Sequence, residues 1–304
     1  MTDAILPTLP ATRPLYAGGP EISCVAWGMW RFGNVDLKTA RARVDAAFEA
    51  GITLFDTADI YGCDMPGGFG HSEHLLGQIL ADAPALRDQM VLASKGGIVL
   101  GTPYNSSRDY IAGAIDASLI RLGVEHIDLW QVHRPDMLTH PGELSEALQT
   151  AVASGKVGAV GVSNFTPAQT DALRSAMDIP LVSTQPEYSP LCLDPLLNGQ
   201  FDAAMQHGMA VLAWSPLGGG RIADPATDRE KTIASALDTV AETFGVSRAA
   251  VAFAWIAAHP ARPIPIIGSQ TPARIADARD IHTVTWTRTA WYDVLQAAMG
   301  QQLP

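Results

Sequence analysis

Eight short apolar runs recur along the 304-residue chain, and each is followed by a stretch with helical spacing. They are ISCVAWG from Ile22, ITLFD from Ile52, MVLASK from Met90, IDLWQVH from Ile127, GAVGVSN from Gly158, LVSTQPE from Leu181, AVLAWSP from Ala210 and PIPIIGS from Pro263. Nearly every residue within a run is apolar, rather than every second one. That pattern belongs to parallel strands covered on both faces. Eight β-then-α units over this length predict an α/β fold of the (β/α)8 barrel type, spread over residues 1–304 as one domain. A doubly wound sheet is the runner-up. Against it, the first run leads into WGMWRFG rather than a GxGxxG turn, and the glycines of GKVGAVG have another spacing and stand on the other side of a strand.

The helical stretches carry their own start and stop signals. In SRDYIAGAIDASLIRLG, Ile111, Ile115, Leu119 and Leu122 share one helical face, and Gly123 stands where a C-terminal cap belongs. In NFTPAQTDALRSAM, Thr166 caps, Pro167 suits the first turn and Gln169 completes a capping box. Thr271-Pro272 repeats this start before ARIADAR, and Ser247 opens the helix containing VAFAWIAA. Ahead of the first strand, RPLYAGGPE with its Gly-Gly turn predicts a β-hairpin closing the bottom of the barrel.

Composition narrows the partners. Hydrophobic residues at 47% against charged residues at 17% allow a large core. Twenty Lys and Arg against 31 Asp and Glu leave a net charge of −11, which disfavours nucleic acid and anionic membrane as main partners. A local cationic site for an anionic cofactor stays compatible with that balance. Cys24, Cys63 and Cys192 are far apart and in no CxxC spacing, so reduced thiols and a cytoplasmic home are expected. The start MTDAILPTLP has no basic region of the signal-peptide kind, and no apolar run reaches the length of a membrane span.

In such a barrel, chemistry sits where strands end. Reading those positions gives Asp56 and Tyr61 after the second strand, Lys95 after the third and His133 after the fourth. Each has an ordinary alternative: a turn cap for Asp56, loop packing for Tyr61, a solvated lysine, a satisfied core histidine. Four ionisable types on successive strand ends make a shared rim site the better reading. A metal site fits poorly, because no HExxH or Cys/His cluster exists, and no GxSxG elbow points to a hydrolase. Proton transfer to an oxygen fits. A lysine ammonium about 4 Å from a phenol contributes about 4 kcal/mol at an effective dielectric near 20, and this lowers the phenol's pKa towards the range of general acid catalysis. Desolvation works against that gain. Asp56 then keeps Lys95 charged and placed, and His133 holds the substrate oxygen.

At these residues the chain resembles the aldo-keto reductases. FDTADIYG, SKGG, LWQVHRPD, GKVGAVGVSNFTP, TQPEYSPL, AWSPLGGG and IPIIGSQTPARI carry the likeness, from about Cys24 to Asp280, and the GGGR segment is similar to a bacterial cytoplasmic branch of the family. The resemblance implies a catalytic tetrad of Asp56, Tyr61, Lys95 and His133 and a nicotinamide cofactor across the rim. It implies that Ser163, Asn164 and Gln185 hold the carboxamide and that Trp214 stacks on the nicotinamide ring. Ser215, Pro216, Leu217 and Gly218 are then the pyrophosphate loop. Gly268, Ser269, Gln270, Arg274 and Asp277 form the adenosine end, and Met29 and Trp30 are the first-loop contacts. Trp214 departs from the tyrosine common in many members, and Ala278 stands where an asparagine often meets adenine.

Three functions follow from this resemblance. The first is an NADPH-dependent reduction of an aldehyde or ketone with Tyr61 as acid. The second is an NAD-linked dehydrogenase acting on a sugar or alcohol. The third is a nucleotide-binding, redox-sensing regulatory subunit. NADPH is expected over NADH, which also remains possible, because Arg274 in the first turn after Thr271-Pro272 suits a 2′-phosphate. The substrate implied is a small carbonyl compound. Trp30, Tyr104 and Trp130 are candidate pocket walls, and a single helix after ARDIHT leaves the pocket open.

Overall fold

The computed structural model describes residues 3–304 and contains twelve strands among them. Two are the predicted N-terminal hairpin, β1 (Thr12–Pro14) and β2 (Glu21–Ser23), paired antiparallel through a turn at Gly18 and Gly19. Eight close into a parallel barrel: β3 (Ala26–Gly28), β4 (Leu54–Asp56), β5 (Val91–Gly96), β8 (Ile127–Val132), β9 (Val157–Ser163), β10 (Leu181–Gln185), β11 (Ala210–Ala213) and β12 (Ile264–Ile267). Each pairs with the next, and β12 returns to β3. The remaining two, β6 (Ile98–Val99) and β7 (Thr102–Tyr104), form a small hairpin after β5 that the apolar pattern does not announce.

The run Ile22–Gly28 is not one strand. It divides at Cys24-Val25, so that its first part belongs to the hairpin and only Ala26–Gly28 enters the barrel. Leu15 and Ile22 of the hairpin pack into the barrel's interior cluster and stop its lower end.

Inside the barrel the period-two rule of strands sorts side chains. Ala26, Leu54, Ala93, Leu129, Ala159, Leu212 and Ile266 point inward and fill it. Trp27, Phe55, Leu92, Trp130, Val160, Val211 and Ile267 point outward against the helices. One inward step above the filling come Asp56, Lys95, Gln131, Gly161, Trp214 and Gly268. A further step reaches His133 and Ser163. Strand β10 departs from the simple count, because its register shifts between Leu181 and Ser183. Ser183 and Gln185 both turn inward, as their bonds to Gln131 and Asp56 show.

The helices begin and end where the caps say. Thr166 and Gln169 exchange both bonds of a capping box at the start of the helix Pro167–Arg174. Ser247 caps the helix Arg248–Ala257, and Gly123 ends the helix Arg108–Leu122 in the left-handed conformation. Thr271 makes no capping bond; Pro272–Ile275 is one α-turn, and the chain continues as 3₁₀ helix over Ala276–His282. Among the described residues no single helix is long and apolar enough to cross a membrane.

Gly161 sets how closely β9 and β10 approach beneath the site. A methyl group there would overlap Ser183 Oγ and lie 2.8 Å from the Ser183 carbonyl oxygen. The carbonyl belongs to the ladder and cannot yield without breaking it. Gly161→Ala is therefore expected to lower stability by about 1–3 kcal/mol, read from urea unfolding at an unchanged denaturant slope. An unchanged midpoint would contradict this account of the packing.

Candidate active site

The inward ends of β4 and β5 bring a carboxylate and an ammonium together. Lys95 Nζ donates to Asp56 Oδ2 at 2.7 Å and to the Thr57 carbonyl at 2.7 Å. The pair is out of water, with side chains 0% and 3% exposed for Lys95 and Asp56. The other oxygen of Asp56 accepts from Gln185 Nε2 at 2.9 Å. Burial works against the Lys95 ammonium, but Asp56 and the Tyr61 phenol beside it outweigh burial and hold its pKa above the usual lysine value.

Tyr61 hangs from the turn after β4, with its N–H donating to Ala58 O and its carbonyl accepting from Ser72 N. Lys95 Nζ lies 5.0 Å from the centre of its ring. His133, just beyond β8, sets its ring edge-on to Tyr61 at 5.8 Å between centroids. The four residues expected from strand ends thus gather at one rim.

The electrostatics depart from expectation at Tyr61. Burial raises the phenol's pKa, Lys95 lowers it and the Asp56 charge raises it again, and the balance stays above the usual tyrosine value. The lysine does act as foreseen, but desolvation of a phenolate outweighs it. His133 is pushed well below the usual histidine range by burial and then by the Lys95 and Arg134 charges. It is a neutral imidazole near pH 7, and its buried Nδ1 has no partner in the protein.

Around this core stand the residues read as cofactor contacts. Asn164 takes a left-handed φ of 61° after β9, a conformation asparagine tolerates. There Nδ2 donates to His133 O at 3.2 Å and Ser163 Oγ at 2.8 Å, while Oδ1 accepts from Trp214 Nε1 at 3.0 Å. The Ser163 hydroxyl in turn donates to Gln185 O at 2.9 Å. Trp214 is fixed through its backbone to Pro186 and Tyr188. The chain then turns through Ser215 at φ 57° and past Pro216 and Leu217 into Gly218, Gly219 and Gly220, all at positive φ. At Gly219, Gly220 and Gly268 an added methyl would meet nothing within 4 Å, so the backbone there is open to close approach.

The last loop is tied to the first strand. Trp27 Nε1 donates to Ser269 O at 2.9 Å, and Gln270 Nε2 donates to Gly28 O at 3.1 Å. Arg274 is exposed beyond it, near enough to Asp277 for its charge to lower that carboxyl's pKa, although burial raises it more. Ala278 is buried. The Met29 side chain packs in the outer core and offers the rim only its backbone, whose N–H donates to Asp56 O at 2.9 Å. Trp30 is 59% exposed, with the Arg31 guanidinium over its ring. Trp130 is no pocket wall: its outward parity buries it against the helix layer. Tyr104 stands on the β6–β7 hairpin, which Ser106 N–H ties to Asp136 Oδ2 in the loop after β8.

The strand-end reading missed four groups. The Thr57 carbonyl holds Lys95. Arg134 places its guanidinium 5.9 Å over the Trp214 ring and, among the described residues, pairs with no carboxylate. Arg221 donates to Gly218 O at the glycine turn and reaches Glu230 at 3.6 Å. Asp59 is fully buried, with both carboxylate oxygens unpartnered. Arg134 and Asp59 lie within the quoted stretches LWQVHRPD and FDTADIYG, so a second charge in each was the available signal.

Residues 25–288 match the family model described as "Aldo/keto reductase family". The chain is 53% identical over 301 residues to the 6-dehydroglucose reductase of Novosphingobium aromaticivorans, covering 98% of this chain and 99% of that one. It is 39% identical to the 6-dehydroglucose reductase of Agrobacterium fabrum, covering 93% and 96%. Oxidoreductase YdhF of Escherichia coli is 36% identical over 94% and 97%. A solved thermostable aldo-keto reductase, crystallised with the inhibitor epalrestat, superposes with a TM-score of 0.81 at 22% identity over 94% of this chain and 99% of that one, a likeness of fold.

Asp59 yields a test in stability. Burial and then the Glu73 charge hold its folded pKa well above the usual aspartate value, against the pull of Arg121. Above the unfolded pKa of about 3.9 the native state keeps a proton that the unfolded state has lost. Stability therefore falls as pH rises from there to the folded pKa, and stays at the lower level beyond it. Asp59→Asn removes the titration at nearly constant shape. From about pH 4 upward wild type should lose stability relative to the variant, as compared by urea midpoints across pH. Parallel curves would contradict the assignment.

Proposed function

Because the chain belongs to the aldo-keto reductase family, we propose that it is an NADPH-dependent reductase whose substrate is the aldehyde of a small hydroxylated carbonyl compound, with Tyr61 as proton donor. The observation that carries this reading is the buried Lys95–Asp56 pair with Tyr61 and His133 at the same rim. When bound, NADPH supplies the hydride that reaches the carbonyl carbon. The protein supplies the proton. The Tyr61 O–H bond breaks towards the carbonyl oxygen, the product is an alcohol, and the phenolate left behind is stabilised by the Lys95 ammonium. Neutral His133 donates an N–H to the same oxygen and orients it.

The raised pKa of Tyr61 favours this direction. A reductase needs the phenol protonated at rest, whereas oxidation of an alcohol by the same site needs the phenolate as base. The complete tetrad supports an enzyme over a regulatory subunit that only holds nucleotide.

Residues present on the rim suit the cofactor. The open glycine backbone at Gly219 and Gly220 admits a pyrophosphate, and Arg221 stands beside it. Arg274 is the cation for a 2′-phosphate, which favours NADPH over NADH. For the substrate, two relatives carry the name 6-dehydroglucose reductase. A sugar aldehyde suits the unpaired Arg134 and the exposed Trp30, which offer N–H donors for hydroxyls and an aromatic face. The deciding experiment follows NADPH oxidation with 6-dehydroglucose and with benzaldehyde. A larger kcat/KM for the sugar supports the reading; no oxidation with any carbonyl compound refutes it.

Two variants test its parts. Tyr61→Phe deletes the proton and little else, so kcat should fall by about 10²- to 10⁴-fold while NADPH still binds. Turnover near wild type would reject the tetrad. Arg274→Ala removes a charge-assisted bond worth about 1.5–3 kcal/mol. Titrations should show NADPH weakened roughly ten- to a hundred-fold with NADH nearly unchanged. A parallel loss for both nucleotides would sink the assignment.

A further inference from the structure

Three glutamates of the chain are shielded from solvent, and two of them are satisfied inside the protein. Glu73 accepts from Ser94, Ser118 and Arg121, and Glu230 accepts from the Ala226 and Thr227 N–H groups at a helix start. The third, Glu187, is half-buried. Among the described residues its only hydrogen bond is at the main chain, where its carbonyl accepts from Cys192 Sγ. Nothing in the protein donates to its carboxylate.

The barrel turns that carboxylate towards the site. Gln185 faces inward, and the two-residue period of a strand puts Glu187 on the same side. Glu187 also stands opposite Trp214 across a parallel bridge, held by Trp214 N–H on Pro186 O at 3.0 Å and Tyr188 N–H on Trp214 O at 3.2 Å. Opposed residues of neighbouring strands share a face, about 5 Å apart, and Trp214 packs on the inner cluster of the barrel. Both arguments set Glu187 beside the indole at the mouth. Arg134, which directly follows His133, has its guanidinium 5.9 Å from the centre of the same indole, and it donates no hydrogen bond within the protein. Its charge reaches Glu187: burial raises that carboxyl's pKa, and the Arg221 and then the Arg134 charges pull it down. Yet no ion pair joins Glu187 to either arginine.

A fork of N–H donors and a carboxylate acceptor, both unpaired, thus flank one aromatic ring close to His133. A hydroxyl is the ligand that uses both, because its hydrogen goes to the carboxylate while its oxygen accepts from the guanidinium. A phosphate or carboxylate would satisfy Arg134 alone and be repelled by Glu187. An apolar substrate would cover both charges and leave them with neither water nor partner, which is costly. We propose that Glu187 is a specificity-determining residue: its carboxylate accepts from a substrate hydroxyl while Arg134 donates to the same hydroxyl or the next, so that the mouth selects polyhydroxy aldehydes over plain ones. This deepens the reading of the site as a reductase of a small hydroxylated aldehyde and rests on it.

The test compares glyceraldehyde with propanal, aldehydes of equal chain length that differ only in hydroxyls, at saturating NADPH in wild type and in Glu187→Met. Methionine keeps the length of the side chain and removes the acceptor, and no bond inside the protein is lost with it. Glu187→Gln, which keeps one acceptor oxygen without the charge, is the second variant should the first misfold. The quantity read is the ratio of kcat/KM for glyceraldehyde to that for propanal, in which effects on the proton donor and on the cofactor cancel. The expected result is a ratio lower by about ten- to a hundred-fold in Glu187→Met, the size of one hydrogen bond to a charged group. An unchanged ratio, whether both rates fall together or neither moves, makes Glu187 a structural or cofactor-side residue and overturns the proposal. An equal gain with both substrates makes Glu187 a latch towards Arg134 that any substrate must open, and overturns it as well. Wild-type protein that reduces no carbonyl compound refutes the reductase reading and this assignment with it, an outcome distinct from an active enzyme whose ratio does not change.

Discussion

The buried ion pair of Lys95 and Asp56 sets the terms for everything at the rim. Two charges withdrawn from water are tolerable only when their remaining bonds are made, and stripping one partner leaves a bare charge at a cost of about 3–5 kcal/mol. Here Asp56 has Lys95 and Gln185, and Lys95 has Asp56 and the Thr57 carbonyl. These bonds come from three separate stretches of chain. They meet because β4 and β5 are parallel neighbours, with Asp56 opposite Ala93 and Lys95 one inward step above. Gln185 arrives from across the barrel. The pair therefore needs the closed barrel.

The same dependence runs outward from it. The Lys95 charge helps keep His133 neutral. His133 gives its carbonyl to Asn164, and Asn164 holds the indole of Trp214. Arg134 lies over that indole. A protein with a net charge of −11 thus keeps a rim with Lys95, Arg134, Arg221 and Arg274 around it. Local charge of that sign can concentrate an anionic nucleotide although the molecule as a whole repels one.

Local signals were readable in the sequence, and distant ones were not. The eight strands show as continuous apolar runs, and Thr166-Gln169 and Gly123 mark helix ends, because each rests on neighbours in the chain. Asp56, Lys95 and His133 were legible for a related reason, as polar residues that interrupt apolar runs at their ends. The break at Cys24-Val25 was hidden, since an apolar run serves a plug and a barrel strand equally well. The side of β8 on which Trp130 lies follows from register, which alternation reveals only when one face is polar. The inward turn of Gln185 depends on a register shift in β10. The acidity of Tyr61 depends on how much water burial removes, and no spacing reports that. Thr271-Pro272 reads as a full helix start because that signal is local, whereas the 3₁₀ stretch Ala276–His282 lies against Arg248–Ala257 and Leu37–Glu49, neighbours that no local signal reports.

The hairpin of β1 and β2 makes the barrel a blind tube. With Leu15 and Ile22 stopping the lower end and Leu54, Ala93, Leu129 and Leu212 filling the middle, no file of water runs along the axis to the ion pair. Exchange along the barrel axis is thus left to the mouth. Under the proposed reaction, a phenol that has given up its proton would recover one through the opening by which the alcohol departs. Recharging of Tyr61 and clearance of product would then share one doorway, and each would have to wait for the other to pass.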